Sequence, residues 1–415
     1  MSTGIMIVGL RGATGSTLAG TAQCANLEDN ARFLLSEAPF AAGLGLPRPD
    51  ALRWGGWDVI GPDDESWEQT MTRHGVIDPR HHPEVLECLQ RVVEFPAAAL
   101  GRDHAVATSE TDAAAETGSA LVARLRQDIR DFRDRTGVDQ VILAYLATPA
   151  MLPPRAEWPE TADDFIDMID RGEFATAAPY YMAAAIEEGC GIIDYTASAT
   201  LEMPGLVALA EKEGVALAGR DGSTGQTLLK SVLAETFATR RMEIRGWYST
   251  NILGNHDGLV LQDPRYCDIK RIDKTALLDD IVGYQVPEHL VDIRYYRPAG
   301  DNKEAWDAID LAGFFGCKGE LRVNWRSSDS LLATPAIIDL CRFLSHDMAR
   351  GARGIQSHLG VFFKYPLGTR ERRYLHLART LEAHCHAVDR SSDTAPDGLD
   401  TTPDTAPPAL LEAAS

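Results

Sequence analysis

The sequence predicts an α/β fold: a Rossmann-like, doubly wound parallel sheet with an inserted mixed α+β catalytic and oligomerisation unit. Two patterns predict it. Short apolar strands alternate with amphipathic helices from residue 5 to about 242, and from about 243 the pattern changes to separated strands. A glycine-rich turn, GLRGATGS, directly follows the first strand.

The opening strand covers Ile5 to Val8 and leads through that turn into a helical pattern. A Gly-, Pro- and Ala-rich excursion over 26–53 precedes the second strand, WGGWDVIG. SALVARLRQDIRDFRDRTG spaces its apolar residues three and four apart and stops at Gly137, which marks a helix; VDQVILAYLA is the buried strand after it. FATAAPYYMAAAIEEGC, GIIDYTA, PGLVALAEKEG and VALAGRD repeat helix, strand, helix and strand. EIRGWYST, HLVDIRYYRP and GELRVNWRSS are the strands of the second unit, with one helix between. The helix LLATPAIIDLCRFLSHDMARG and strand-like VFFKYP return to the first. The boundaries drawn are 1–242 and 330–386 for the Rossmann-like unit, 243–329 for the inserted one, and 387–415 for an acidic, Pro- and Thr-rich tail expected to be disordered.

Composition limits the function. The 415 residues suffice for two to three units with cores of their own. A net charge of −21 argues against nucleic acid as a partner, so an anionic ligand must be met by a local positive pocket. No run of about 18 apolar residues suggests a membrane span, and a cytoplasmic location is expected. The seven cysteines show no C-x-x-C pair, which indicates buried thiols. His384, Cys385 and His386 are too closely spaced near a tail to suggest a metal site, and no metal is expected.

Gly9, Gly12 and Gly15 recur at three-residue intervals between a strand and a helix, where backbone amides and the helix N-terminus can meet a pyrophosphate. Asp58, ending WGGWD, is a candidate for a ribose hydroxyl or, equally, a structural turn residue. A second polar glycine loop, GRDGSTGQT, offers Ser223, Thr224, Gly225, Gln226 and Thr227 as a cradle for a substrate phosphate. Two anion sites suggest a dinucleotide and a phosphorylated substrate.

Lysine is scarce: only seven of the 40 basic residues are Lys, at 212, 230, 270, 274, 303, 318 and 364. Yet Lys270 and Lys274 stand one helical turn apart in DIKRIDKTALLDDI, where they would repel unless an anion lay between them. Lys303 follows Asp301 in GDNK, Asp329 lies in RSSDS, and Lys364 ends an apolar run. Asn251, Asn255 and Asp257 form a polar turn in NILGNHDG. Lysine can give up its proton when burial and cationic neighbours act on it, and arginine effectively cannot.

Taken in order, GLRGATGST, GGWD, GRDGSTGQT, NILGNHDG, IKRIDKTALLDD, GDNKEAWD, SDSLLATP and FFKYP make the chain resemble inositol-phosphate synthases of the longer, eukaryote-like type, from about residue 5 to 368. The resemblance implies a homotetramer and a bound NAD that runs an internal redox cycle on a sugar phosphate. C5 is oxidised, a C6 enolate closes a ring, and the hydride returns to C5. It implies that Lys274 and Lys303 move protons at C5 and C6, and that Lys270 and Lys364 hold phosphate or the developing alkoxide. Asp301 and Asp329 would orient those lysines. Ala13, Thr14, Thr148, Asp221 and Asp257 would lie along the cofactor, and Asn251, Leu253 and Asn255 along the substrate.

Several positions depart from the family pattern. Ala13 and Thr14 replace an asparagine pair, Ser223 a lysine, and His256 and Ala276 asparagines; YTASATLEMPG also matches poorly. The departures favour fructose 6-phosphate and a five-membered cyclitol phosphate, as in a branch of the family similar in serving carbocyclic nucleoside (aristeromycin-type) pathways. Glucose 6-phosphate closing to myo-inositol 1-phosphate is the alternative. An NAD-dependent sugar-phosphate dehydrogenase, which would accumulate NADH, and a non-enzymatic dinucleotide sensor, which would need neither Lys274 nor Lys303, are the further ones.

Overall fold

The structure is a computed structural model, and it describes residues 1–24, 30–98, 100, 117–149, 151–255, 258–259, 262 and 277–393. Seven parallel strands form the larger sheet: β1 (Thr3–Val8), β2 (Arg53–Asp58), β3 (Val93–Pro96), β4 (Gln140–Tyr145), β5 (Gly191–Asp194), β6 (Ala216–Gly219) and β11 (Gly354–Ile355). Their order is β11-β6-β5-β4-β1-β2-β3. The order reverses between β1 and β4, and a crevice at the carboxyl ends of such strands is where open α/β sheets hold ligands. β1 and β4 are buried along their whole length, which is why both read as continuous apolar runs.

Helix Gly118–Thr136 lies where its apolar spacing places it. It buries Leu121, Val122, Leu125, Ile129 and Phe132 and ends at Gly137, whose φ of 66° is left-handed.

Between β6 and β11 the chain builds a second sheet of four strands, β7 (Glu243–Leu253), β8 (Glu288–Tyr295), β9 (Asn302–Ala312) and β10 (Lys318–Ser328), in the order β10-β9-β7-β8. β7 runs antiparallel to β9 and parallel to β8, so the sheet is mixed. Helix Asp329–Ala349 then carries the chain back. Its Ala333, Ile337, Ile338, Leu340, Phe343 and Leu344 join the core of Ile5, Ile7, Ile142 and Ile193.

Two segments differ from expectation. VFFKYP is not a strand: Ser357–Phe362 coils as a 3-10 helix, and Phe363 makes one isolated bridge to Gly222. Its apolar side chains are buried from all sides, so no strand alternation was needed. The C-terminal helix Tyr374–Asp393 runs into the acidic segment expected to be disordered from 387, anchored by buried Leu377, Leu381 and Cys385. Among the described residues no helix is long and apolar enough to cross a membrane.

Candidate active site

The carboxyl ends of β1, β2, β4, β5 and β6 converge with the N-termini of two helices. Gly9 (φ 91°) turns the chain after β1, and its amide and that of Leu10 donate to Trp57 O at 3.0 and 3.1 Å. A Cβ on Gly15 would stand 2.3 Å from Gly9 O, so this position excludes every other residue without moving the loop. Helix Ala13–Thr21 begins there with Gly12 as N-cap and no side-chain cap, leaving its first amides to a ligand. Such a cradle fits a pyrophosphate. Thr148 stands half-buried just beyond β4.

Asp58 is tied to the glycine loop. Its Oδ2 accepts Arg11 N at 2.7 Å and its Oδ1 accepts Ile60 N at 3.1 Å, so both oxygens hold backbone.

Two of the predicted lysines meet carboxylates. Lys364 Nζ donates to Asp221 Oδ1 at 2.6 Å, and Lys303 Nζ lies 3.5 Å from Asp329 Oδ1; all four side chains are no more than 22% exposed. Asp221 closes β6 in a left-handed conformation (φ 60°), fixed by its amide on Thr196 O and its carbonyl under Lys364 N. Asp329 opens the long helix, where an acid is favoured by the helix dipole.

Between the pairs sits Tyr195. Burial first, then the charges of Asp329, Asp221 and Asp339, raise its phenol well above the usual range. Its hydroxyl is buried with no hydrogen-bond partner among the described residues, which marks a polar atom awaiting a ligand. Gly222 makes room for the ring, since a Cβ there would lie 2.0 Å from it. Sequence reasoning passed over Tyr195 because YTASATLEM departs from the family pattern.

Asp301 orients no lysine among the described residues. It accepts Ser328 Oγ at 2.5 Å on Oδ2 and Ser330 Oγ at 2.8 Å on Oδ1, and Ser330 Oγ is 3.3 Å from Thr14 Oγ1. The residue therefore ties the second sheet to the first glycine loop.

The phosphate loop divides in two. Ser223 and Thr224 are half-buried ahead of helix Gly225–Thr239, whose N-cap carries no side-chain hydrogen bond. The Gln226 side chain points away from the loop, donating to Asp307 Oδ2 at 2.9 Å and accepting from Asn251 Nδ2 at 2.5 Å, while its backbone amide stands in the first turn of the helix. Thr227 is buried with it. Asn251 is wholly buried in that network, and Leu253 packs its side chain in a core while its carbonyl accepts Tyr296 N at 2.8 Å. Asn251 Oδ1, like the Tyr195 hydroxyl, is buried with no hydrogen-bond partner among the described residues. Asn255 Oδ1 accepts Gly258 N at 3.1 Å, closing its own turn.

Beneath this network lies Lys230, which sequence reasoning counted but did not use. Its Nζ bonds Ser249 Oγ at 3.0 Å and His289 Nε2 at 2.9 Å and stands 5.1 Å above the Trp247 ring. Burial lowers its pKa to about 8, with Asp307 opposing. A lysine in a chain that writes arginine was the available signal. Lys270, Lys274, His256, Asp257 and Ala276 lie outside the described residues.

Fold and site together define an α/β enzyme in which an inserted sheet and a returning helix bring lysines and acids to the edge of a dinucleotide-type glycine loop. The myo-inositol-1-phosphate synthase family model matches residues 225–330. The chain is 32% identical to inositol-3-phosphate synthase 1 of Bacteroides thetaiotaomicron over 88% of this chain and 89% of that protein. It is 30% identical to the rice inositol-3-phosphate synthase 1, of which it spans 61%. The crystal structure of inositol-3-phosphate synthase from Caenorhabditis elegans has the same fold, with a TM-score of 0.78 at 24% identity over 96% of this chain and 90% of that one. The chain belongs to the myo-inositol-1-phosphate synthase family.

Proposed function

We propose that this protein is an NAD-dependent sugar-phosphate cyclase that converts fructose 6-phosphate into a five-membered cyclitol phosphate. The observation that carries the reading is the placement of two lysine and carboxylate pairs, Lys303 with Asp329 and Lys364 with Asp221, around buried Tyr195. A dehydrogenase or a dinucleotide sensor would need no such pairing.

NAD bound at Gly9, Gly12, Ala13, Thr14 and Gly15 would supply one chemistry, taking a hydride from C5 and returning it there, so that no net oxidation results. Thr148, Asp221 and Asp257 belong beside that cofactor. The substrate phosphate lies at the N-terminus of helix Gly225–Thr239, with Ser223 and Thr224 beside it. Lys303, steadied by Asp329, accepts the C5 hydroxyl proton as the ketone forms and, with Lys274, moves the C6 proton that the ketone acidifies. The C6 enolate carbon bonds to C2, and the C2 oxygen takes up a proton as its double bond opens. Lys364, held by Asp221, and Lys270 stabilise the alkoxide or phosphate.

The departures from the family pattern at Ala13, Thr14, Ser223, His256 and Ala276, which leave the lysines in place, support fructose 6-phosphate. Glucose 6-phosphate closing to myo-inositol 1-phosphate is the second reading, favoured by the relatives' names. The test incubates protein and NAD with each sugar phosphate separately and identifies products by mass and NMR. Cyclisation of glucose 6-phosphate alone would replace the first reading by the second. Cyclisation of neither would overturn both, and steady NADH accumulation would indicate a dehydrogenase.

A cytoplasmic homotetramer assembled through the four-stranded sheet accompanies this reading. Leu290, Trp306, Phe314 and Phe315 of that unit are exposed apolar side chains that an interface would cover.

A further inference from the structure

At the far end of the long helix, donors from three separate elements meet. Asp347, buried near the C-terminus of Asp329–Ala349, has its Oδ2 2.8 Å from His358 Nε2 and its Oδ1 3.5 Å from His384 Nε2. His346 Nδ1 is 3.3 Å from the same Oδ1. His358 belongs to the 3-10 helix Ser357–Phe362 and His384 to the C-terminal helix. Their rings stack with centroids 3.6 Å apart and planes within 9°, which turns both Nε2 atoms to one carboxylate. One donor atom from each of Asp347, His358 and His384 lies within 4.8 Å of the others. Asp329 of the active site is 18 residues away along the helix, or about 27 Å at about 1.5 Å per residue.

We infer that Asp347, His358 and His384 form a binding site for a divalent transition-metal ion, with zinc the best match, which fastens the C-terminal helix to the body of the protein. Two imidazole nitrogens and one carboxylate oxygen suit zinc and its neighbours, whereas magnesium and calcium require oxygen donors. A tetrahedral zinc with bonds of about 2.0 to 2.1 Å holds its donor atoms roughly 3.3 Å apart. The separations of 2.8 and 3.5 Å, one to each carboxylate oxygen, lie near that spacing, and an ion requires the two stacked rings to tilt until both Nε2 lone pairs meet it. His384 is 32% exposed and leaves an entry path, with His346 or water as fourth ligand. The ligands are 11 and 37 residues from Asp347 in sequence, which is why neighbouring spacing concealed them.

The test uses the full chain, stripped with chelator and dialysed, and titrates zinc by calorimetry while thermal unfolding is followed by circular dichroism. The wild type is expected to bind one zinc per chain at this site and to gain in Tm, with no comparable gain from magnesium. His384→Gln, which removes a ligand itself, is expected to lose at least the roughly tenfold to hundredfold in zinc affinity that loss of a supporting outer-shell residue costs, along with the Tm gain. His386→Gln, one residue pair along the same helix and outside the cluster, is expected to keep both. His358→Gln replaces His384→Gln should that variant not fold. Absence of zinc binding by the wild type, or equal binding and equal Tm gain by the folded variant, would overturn the inference and leave a hydrogen-bonded knot of Asp and His.

Discussion

Lys230 gives a stability prediction whose size follows from its burial. The ammonium is withdrawn from water beneath the phosphate loop, and burial lowers its pKa from 10.5 to about 8. The unfolded chain keeps the proton to higher pH than the folded one does, so between these values it binds more protons and stability rises with pH. At about 1.4 kcal/mol per pH unit, the gap is worth on the order of 3 kcal/mol. Below about pH 8 lysine is charged in both states and the cost is constant. Lys230→Met removes the titration while roughly keeping the volume, and Asp307 retains its donors from Trp247 at 2.8 Å, Ser249 at 2.6 Å and Gln226 at 2.9 Å. Urea unfolding of both proteins across that pH window is the assay. The wild type should gain on the variant by about 3 kcal/mol from the lower to the upper end. A difference that stays flat with pH would refute the claim that this lysine is buried with a depressed pKa.

The active-site lysines make a different demand. Lys303→Arg keeps the charge but cannot exchange protons and should lower kcat by about 100-fold or more, and Lys364→Met, which removes the charge assigned to the alkoxide or phosphate, should cost about 100-fold or more; near-normal product formation by either would rule out its assigned role. Gly15→Ala brings a Cβ within 2.3 Å of Gly9 O, so fluorescence titration should find NAD binding abolished in a variant whose far-ultraviolet circular dichroism is unchanged. Leu381→Ala empties a fully buried position that seats the C-terminal helix and should cost about 2 to 5 kcal/mol in denaturant unfolding. Phe315→Asp puts a charge on a side chain 96% exposed, and light scattering should show the assembly reduced in mass if this hairpin tip lies in the tetramer interface.

The glycine loop after β1 and the helix Gly118–Thr136 were legible because turn chemistry and apolar spacing act within a few residues. β9 was not, since its sequence NKEAWDAIDLA buries Asp307 among polar partners and breaks the expected alternation. Gln226 looked like a phosphate ligand from its neighbours in the loop. Its phase on the helix points the side chain at Asn251 and Asp307 on two strands of the other sheet, which leaves its backbone amide to the loop. The resemblance made Asp301 an acid that orients the lysines, yet it stands just ahead of β9, and among the described residues its oxygens meet Ser328 and Ser330, which the packing of the long helix brings to it.

By itself the sequence determined the parallel α/β fold and the family, because strand burial, glycine turns and the order of the motifs are written locally. Only the tertiary structure decided which acid serves which lysine, that Tyr195 lies between the two pairs, and that Asp347, His358 and His384 share one point. Those relations depend on where helix Asp329–Ala349 and the C-terminal helix pack, and packing joins residues that no local spacing connects.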